Sequence, residues 1–219
     1  EEQDPNDQPG GFCVNNEPAF SRQMADVVNR WLLDRPVPEG HTRLLHGTAR
    51  KSMVDIMNKG IDITKFQSIG DFGPGFYCAD DSPSGVLTSV RFAIGSAAYD
   101  VDEDAAAVLA VERYGPSRAA IMCFDVPNED LDHLNPTHLD GEEWEEFTAL
   151  CLKEDPTESG KGCYREVFIG EHHHDAQLVV GKLVHNPRKM QKCKAPRSLP
   201  FEDKCKQYTF RNETGNVLF

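Results

Sequence analysis

No apolar run in the 219-residue chain approaches the roughly 20 residues that a membrane-spanning helix needs, so no membrane partner is expected. Positive charge is scarce: 23 Lys and Arg stand against 36 Asp and Glu, a formal net charge of −13. That deficit argues against a nucleic-acid partner, because phosphate contacts call for basic surface. No two cysteines are spaced Cys-x-x-Cys, which leaves zinc ribbons and thioredoxin-like redox centres without support. No nucleophile-elbow motif is present for Ser-His-Asp hydrolysis. The pair Gly73 and Gly75 around Pro74 lacks the third glycine, the long following helix and the βαβ setting of a dinucleotide-binding Rossmann unit. No metal is expected either. His172, His173 and His174 are consecutive on a turn and point apart, whereas zinc needs three or four converging ligands.

What remains is a chain with a 39% apolar fraction and 12 phenylalanines, which excludes disorder and is enough for one domain with a sizeable core. Seven cysteines are many for this size. Cys13 near one end, with Cys193 and Cys205 near the other, read as disulfide staples for the termini, as in secreted proteins. The sequon Asn212-Glu213-Thr214 fits the same compartment, as does a polar start at Glu1 that reads as a mature N-terminus after signal removal. Reduced, buried cysteines are the competing reading. The few cations gather late: from Asn186 onward eight basic residues face three acids, a local net charge of +5 that leaves −18 elsewhere. We read this as a solvated basic tail folding back on an acidic body.

The organisation expected is an N-terminal arm and helix over 1–40, a core over 41–185, and a basic, cysteine-containing tail over 186–219 packed on that core. Apolar positions Met24, Val27, Val28, Trp31 and Leu32 recur at helical spacing and predict a helix over 20–33. A short strand over 41–46 ends at Gly47, with Thr48 placed to cap a helix over 49–59 that Gly60 stops. Further strands are expected over 75–79, 119–126, 164–170 and 176–184, and helices over 83–98 and 142–152; residues 105–111 are ambiguous. Strands separated by short helices define a mixed α+β fold.

Two segments carry the chemistry. Arg43-Leu-Leu-His46-Gly47-Thr48 and Asp71-Phe-Gly73-Pro-Gly75-Phe76-Tyr77-Cys-Ala79-Asp80 each set a polar or aromatic side chain beside glycines that let a ligand approach backbone. Taken singly, each reads more simply as structure: Gly73-Pro74-Gly75 as a turn before a strand, and His46 as a core or surface histidine. A third segment, Tyr164-Arg-Glu166-Val-Phe-Ile169, sets a carboxylate inside an apolar β run.

In that order the three segments resemble the ADP-ribosyltransferase superfamily, in the branch with a His-Tyr-Glu triad that includes diphtheria toxin and the poly(ADP-ribose) polymerases. The family's His-Gly-Ser/Thr is met by His46-Gly47-Thr48, its Gly-x-Tyr-x-Ala by Gly75-Phe76-Tyr77-Cys78-Ala79, and its strand glutamate by Glu166. The form of the second segment looks most like small secreted ADP-ribosyltransferase-like proteins of fungi and bacteria, with a toxin- or effector-like character. The resemblance implies a split β-sheet core with short flanking helices and NAD as substrate. It also implies that the nicotinamide–ribose bond is cleaved and ADP-ribose passes to an acceptor protein. It makes His46, Tyr77 and Glu166 the catalytic residues. His46 would hydrogen-bond the adenosine ribose, Gly47 would hold the nicotinamide amide through its backbone, Tyr77 would stack on the ring, and Thr48, Gly75 and Phe76 would complete the site. A Ser-x-x-Tyr element that usually follows is met by Ser89 and Phe92, with Phe in place of Tyr. Two readings stand beside the transferase: an NAD glycohydrolase, with water as acceptor, and an inactive module that binds NAD, ADP-ribose or a host protein. Tyr164, two residues before Glu166, weakens an arginine-specific transferase.

Overall fold

The computed structural model describes residues 19–62, 70–73, 75–99, 118–152, 176–184 and 205–211. The segment expected as a strand over 164–170, with Glu166, lies outside them. So do Cys13, Cys163, Cys193, residues 105–111, the His172–His174 turn and the Asn212 sequon.

The architecture is mixed α+β, as the alternation of patterns predicts. Six strands, β1 (His41–Ala49), β2 (Phe76–Asp80), β3 (Ala119–Pro127), β4 (Thr137–His138), β5 (Leu178–Lys182) and β6 (Lys206–Phe210), form one sheet in the order β3-β1-β2-β6-β5-β4. Only β4 and β5 run parallel; the other neighbours are antiparallel. Among the described residues five helices accompany them: α1 (Ala19–Leu33), α2 (Arg50–Lys59), α3 (Pro83–Tyr99), α4 (Asn128–His133) and α5 (Gly141–Leu152).

Side chains alternate across a strand, so each strand feeds both faces of the sheet. On one face Leu44, Phe76, Val126 and Phe210 meet Ile61, Leu131 and the partly buried Ile56. The opposite face is covered in two halves. Over β1 and β3, Leu45 packs under Val86, Val90 and Ile94 of α3 and Ala25 and Leu32 of α1. Over β5, Val179 packs with Phe72 and with Trp144 and Phe147 of α5. Trp144 Nε1 donates to the Lys182 carbonyl at 2.8 Å, which ties α5 to the end of β5.

Three expectations need correction. Strand β1 does not stop at Gly47: its ladder with β3 continues to Ala49 opposite Ala119, so the backbone of Thr48 belongs to the sheet and its side chain is buried. The residue preceding α2 is therefore Ala49, and no side chain caps that helix. Residues 206–210, expected in a solvated tail, are an interior strand paired with β2 on one side and β5 on the other. Its alternation, with Gln207 and Thr209 buried on one face and Phe210 on the other, is the period-2 signature of a strand. Cys205, expected as one of the staples, is buried at the entry to β6; the other two staple cysteines, Cys13 and Cys193, lie outside the described residues. Strand β5 is shorter than the 176–184 expected: the Gln177 carbonyl still accepts from Arg211 N–H, one step on along the ladder with β6, while past Lys182 the Val184 N–H turns to Asp71.

Candidate functional site

The ladder between β1 and β2 is short. It registers Leu44 opposite Asp80 and Leu45 opposite Ala79. Past Leu45, β1 stays with β3 as far as Ala49, while β2 stays with β6 as far back as Phe76. A seam therefore runs between the two strands where the two glycine-bearing motifs begin, and His46 sits in it.

The His46 Nδ1 lies 2.7 Å from the Tyr77 carbonyl oxygen. A carbonyl can only accept, so Nδ1 carries the proton and the neutral ring presents Nε2 as an acceptor. Burial pushes the His46 pKa down to about 4, against the raising effect of that hydrogen bond. The imidazole also lies against Phe76, with centroids 4.1 Å apart and planes 31° apart. Phe76 itself is fully buried. Its place is in the core, supporting the imidazole.

Continuing the β1–β2 register sets His46 opposite Cys78 and Gly47 opposite Tyr77, so the His46 and Tyr77 side chains leave the sheet on opposite faces. His46 meets the backbone of Tyr77 and not its phenol. On the other face, the Tyr77 hydroxyl donates to the Gly73 carbonyl and accepts the Phe72 N–H at 3.0 Å. The clasp closes on a tight turn in which Gly73 N–H bonds the Gly70 carbonyl at 3.1 Å, with Gly73 at φ +80°, where glycine is favoured. Burial raises the Tyr77 pKa, so the hydroxyl stays protonated.

The remaining predicted residues divide. Gly47 and Ser89 come together: a Cβ on Gly47 would overlap the Ser89 carbonyl, and Ser89 Oγ donates to the Leu45 carbonyl at 3.3 Å. This contact is how α3 lies close on β1. Gly75 is likewise fixed by packing, since a Cβ there would stand 2.6 Å from Thr209 Cγ2 and 2.8 Å from the Phe210 carbonyl oxygen. Phe92 is 49% exposed, one helical turn beyond Ser89, and does not join the seam. Glu166 lies outside the described residues.

Two arrangements escaped the sequence reading. Asp71 Oδ2 accepts from Val184 N–H at 2.9 Å and from Gln207 Nε2 at 3.1 Å. Desolvation raises its pKa to about 6, against the lowering effect of both bonds. Asp71 stands inside a quoted motif, but nothing local reveals partners 113 and 136 positions away. Arg43 and Asp125, directly opposed on β1 and β3, form a bidentate pair at 2.6 and 2.7 Å, and Arg43 also donates to the Arg35 carbonyl. The hydrogen bonding from the Arg43 guanidinium holds the Asp125 carboxyl below its usual range. Cross-strand opposite charges of this kind fix register.

No family model, curated protein or solved structure matches the chain. The functional reading rests on the motifs and the geometry just described.

Proposed function

We propose that the chain is an NAD-dependent ADP-ribosyltransferase of split-sheet type, which cleaves the nicotinamide–ribose bond and passes ADP-ribose to an acceptor protein. The observation that carries this reading is the seam: two motifs 31 positions apart stand side by side on β1 and β2, where the ladder stops and His46 reaches the Tyr77 carbonyl.

In this reading NAD lies across the seam, with its adenosine ribose on the His46 face of the sheet and its nicotinamide on the face of Gly47 and Tyr77. His46 Nε2, an acceptor on a neutral ring, takes a hydrogen bond from a hydroxyl of the adenosine ribose. Gly47 offers backbone to the nicotinamide amide, beside the buried Thr48. Tyr77 gives the nicotinamide a ring to stack on, its hydroxyl being already engaged. Cleavage passes through an oxocarbenium-like centre, as in glycoside chemistry. Glu166 polarises the 2′-hydroxyl of the nicotinamide ribose and stabilises the developing positive charge, an electrostatic contribution of the kind that commonly exceeds a hundredfold in rate.

The test is incubation with NAD labelled in its adenylate half, following both nicotinamide release and label on protein, for wild type and Glu166→Gln. The proposal expects release and protein labelling in wild type, with release slowed about a hundredfold or more in the variant. Release without labelled protein, in the presence of candidate acceptors, gives the glycohydrolase reading. No release from wild type refutes the enzyme.

A further inference from the structure

The Gly70–Gly73 turn is held from three sides, and only one of them is the tyrosine clasp. Phe72 drops its ring into the cluster under α5, so close to Gly181 that a Cβ there would stand 2.8 Å from Phe72 Cζ. Asp71, the preceding residue, points its carboxylate at two different parts of the sheet. Val184 N–H lies just beyond the end of β5, and the Gln207 side chain stands on β6. The same carboxylate oxygen receives both, so moving the turn breaks both bonds together. The turn in turn holds Tyr77 by both lone-pair and proton, through Phe72 N–H and the Gly73 carbonyl. At Gly70 there is no room for even a Cβ against the tyrosine hydroxyl. Strand β2 fixes the backbone of Tyr77, and the bonds of its hydroxyl to this turn hold the far end of the ring.

We propose that Asp71 is a positioning residue of the nicotinamide site: by fastening the Gly70–Gly73 turn to β6 and to Val184, it fixes the ring of Tyr77 on which nicotinamide stacks. This rests on the ADP-ribosyltransferase reading for its ligand, but the mechanical link from Asp71 to Tyr77 stands on the hydrogen bonds alone. Asp71 does not touch substrate. Its effect falls on binding of the nicotinamide half of NAD, because ring stacking acts on the ground state as well as on the transition state.

The experiment uses the full chain with 13C-labelled tyrosine rings, the Tyr77 signals being assigned through Tyr77→Phe. Asp71→Ala removes the acceptor, and Asp71→Asn keeps one oxygen for both donors. The expected result is displaced or broadened Tyr77 ring signals in Asp71→Ala, with the other tyrosines in place. In nicotinamide release, the KM for NAD rises tenfold or more while kcat stays within about threefold. Asp71→Asn recovers most of both. Tyr77 signals unmoved in a folded Asp71→Ala, or a fall in kcat with KM unchanged, overturn the proposal. If Asp71→Ala fails to fold, Gln207→Met, which removes one of the two donors, supplies the same comparison. Should wild type release no nicotinamide while the Tyr77 signals still move, the enzyme reading falls and takes the nicotinamide part of this proposal with it, leaving Asp71 as a structural clasp on Tyr77.

Discussion

Two partly buried titratable groups lie on opposite faces of the sheet, His46 at the seam and Asp71 over β6 and the end of β5, and their pH dependences have opposite signs. The His46 pKa falls from 6.5 to about 4 on folding. Between those values the unfolded chain holds a proton that the folded chain refuses, so stability is lost on acidification. The Asp71 pKa rises from 3.8 to about 6. Between those values the folded chain holds the extra proton, so stability is lost as pH rises. Each effect amounts to about 3 kcal/mol over its full window, and from pH 4 to 6 they nearly cancel. Asp71→Asn therefore unmasks the histidine: relative to wild type, its unfolding free energy should fall by about 2 kcal/mol between pH 6 and 4.5. His46→Gln should show the reverse slope, and denaturant midpoints at the two pH values check both. At Gly47 the expectation is steric. Gly47→Ala forces a methyl against the Ser89 carbonyl, backbone on backbone, and should cost about 1–3 kcal/mol through displacement of α3, read from the same denaturation curves.

At the scale of elements, strand β6 decides whether the sheet is whole. It joins β2 to β5 with ladders on both edges, so without it the sheet divides into β3-β1-β2 and β5-β4. Tyr208→Pro removes a ladder donor from an interior strand, where proline is not tolerated. We expect a loss of 3 kcal/mol or more, of the order that abolishes cooperative unfolding in circular dichroism. A similar substitution in a solvated tail would leave the melt unchanged. In the sequence this strand is hidden in a basic tail, because the charge averaged over the 34 residues from 186 to 219 masks the five alternating residues of β6. The helices fared better. Expected bounds of 20–33, 83–98 and 142–152 differ by a residue at one end from Ala19–Leu33, Pro83–Tyr99 and Gly141–Leu152, since long apolar periodicity is a local signal. Helix α4, six residues of mainly polar sequence, carries too little periodicity to be seen that way.

For the molecule as a whole, the two motifs on β1 and β2 were legible because the residue types and their order are local facts. How they meet was not. That His46 bonds the backbone of Tyr77, with the two side chains on opposite faces, follows from strand register, and register is set by pairings between distant segments. Asp71, Gln207 and Val184 converge for the same reason, from three separate parts of the chain. Packing also gives Gly47 and Gly75 a structural cause that the sequence could not separate from a ligand-binding one. The seam then bears the weight of the functional reading, through the lone acceptor atom that a neutral His46 presents there.

That atom can be watched directly. With 15N-labelled histidine, Nδ1 of His46 should report a protonated nitrogen and Nε2 an unprotonated one at pH 7, as the bond to the Tyr77 carbonyl requires. On titration with NAD, using Glu166→Gln to suppress turnover, the account predicts that the Nε2 signal moves saturably as it accepts a hydroxyl proton in hydrogen bonding, while Nδ1 keeps its place. Saturable NAD binding that leaves the His46 nitrogens unmoved, or no binding at all, would contradict the claim that this seam is the NAD site.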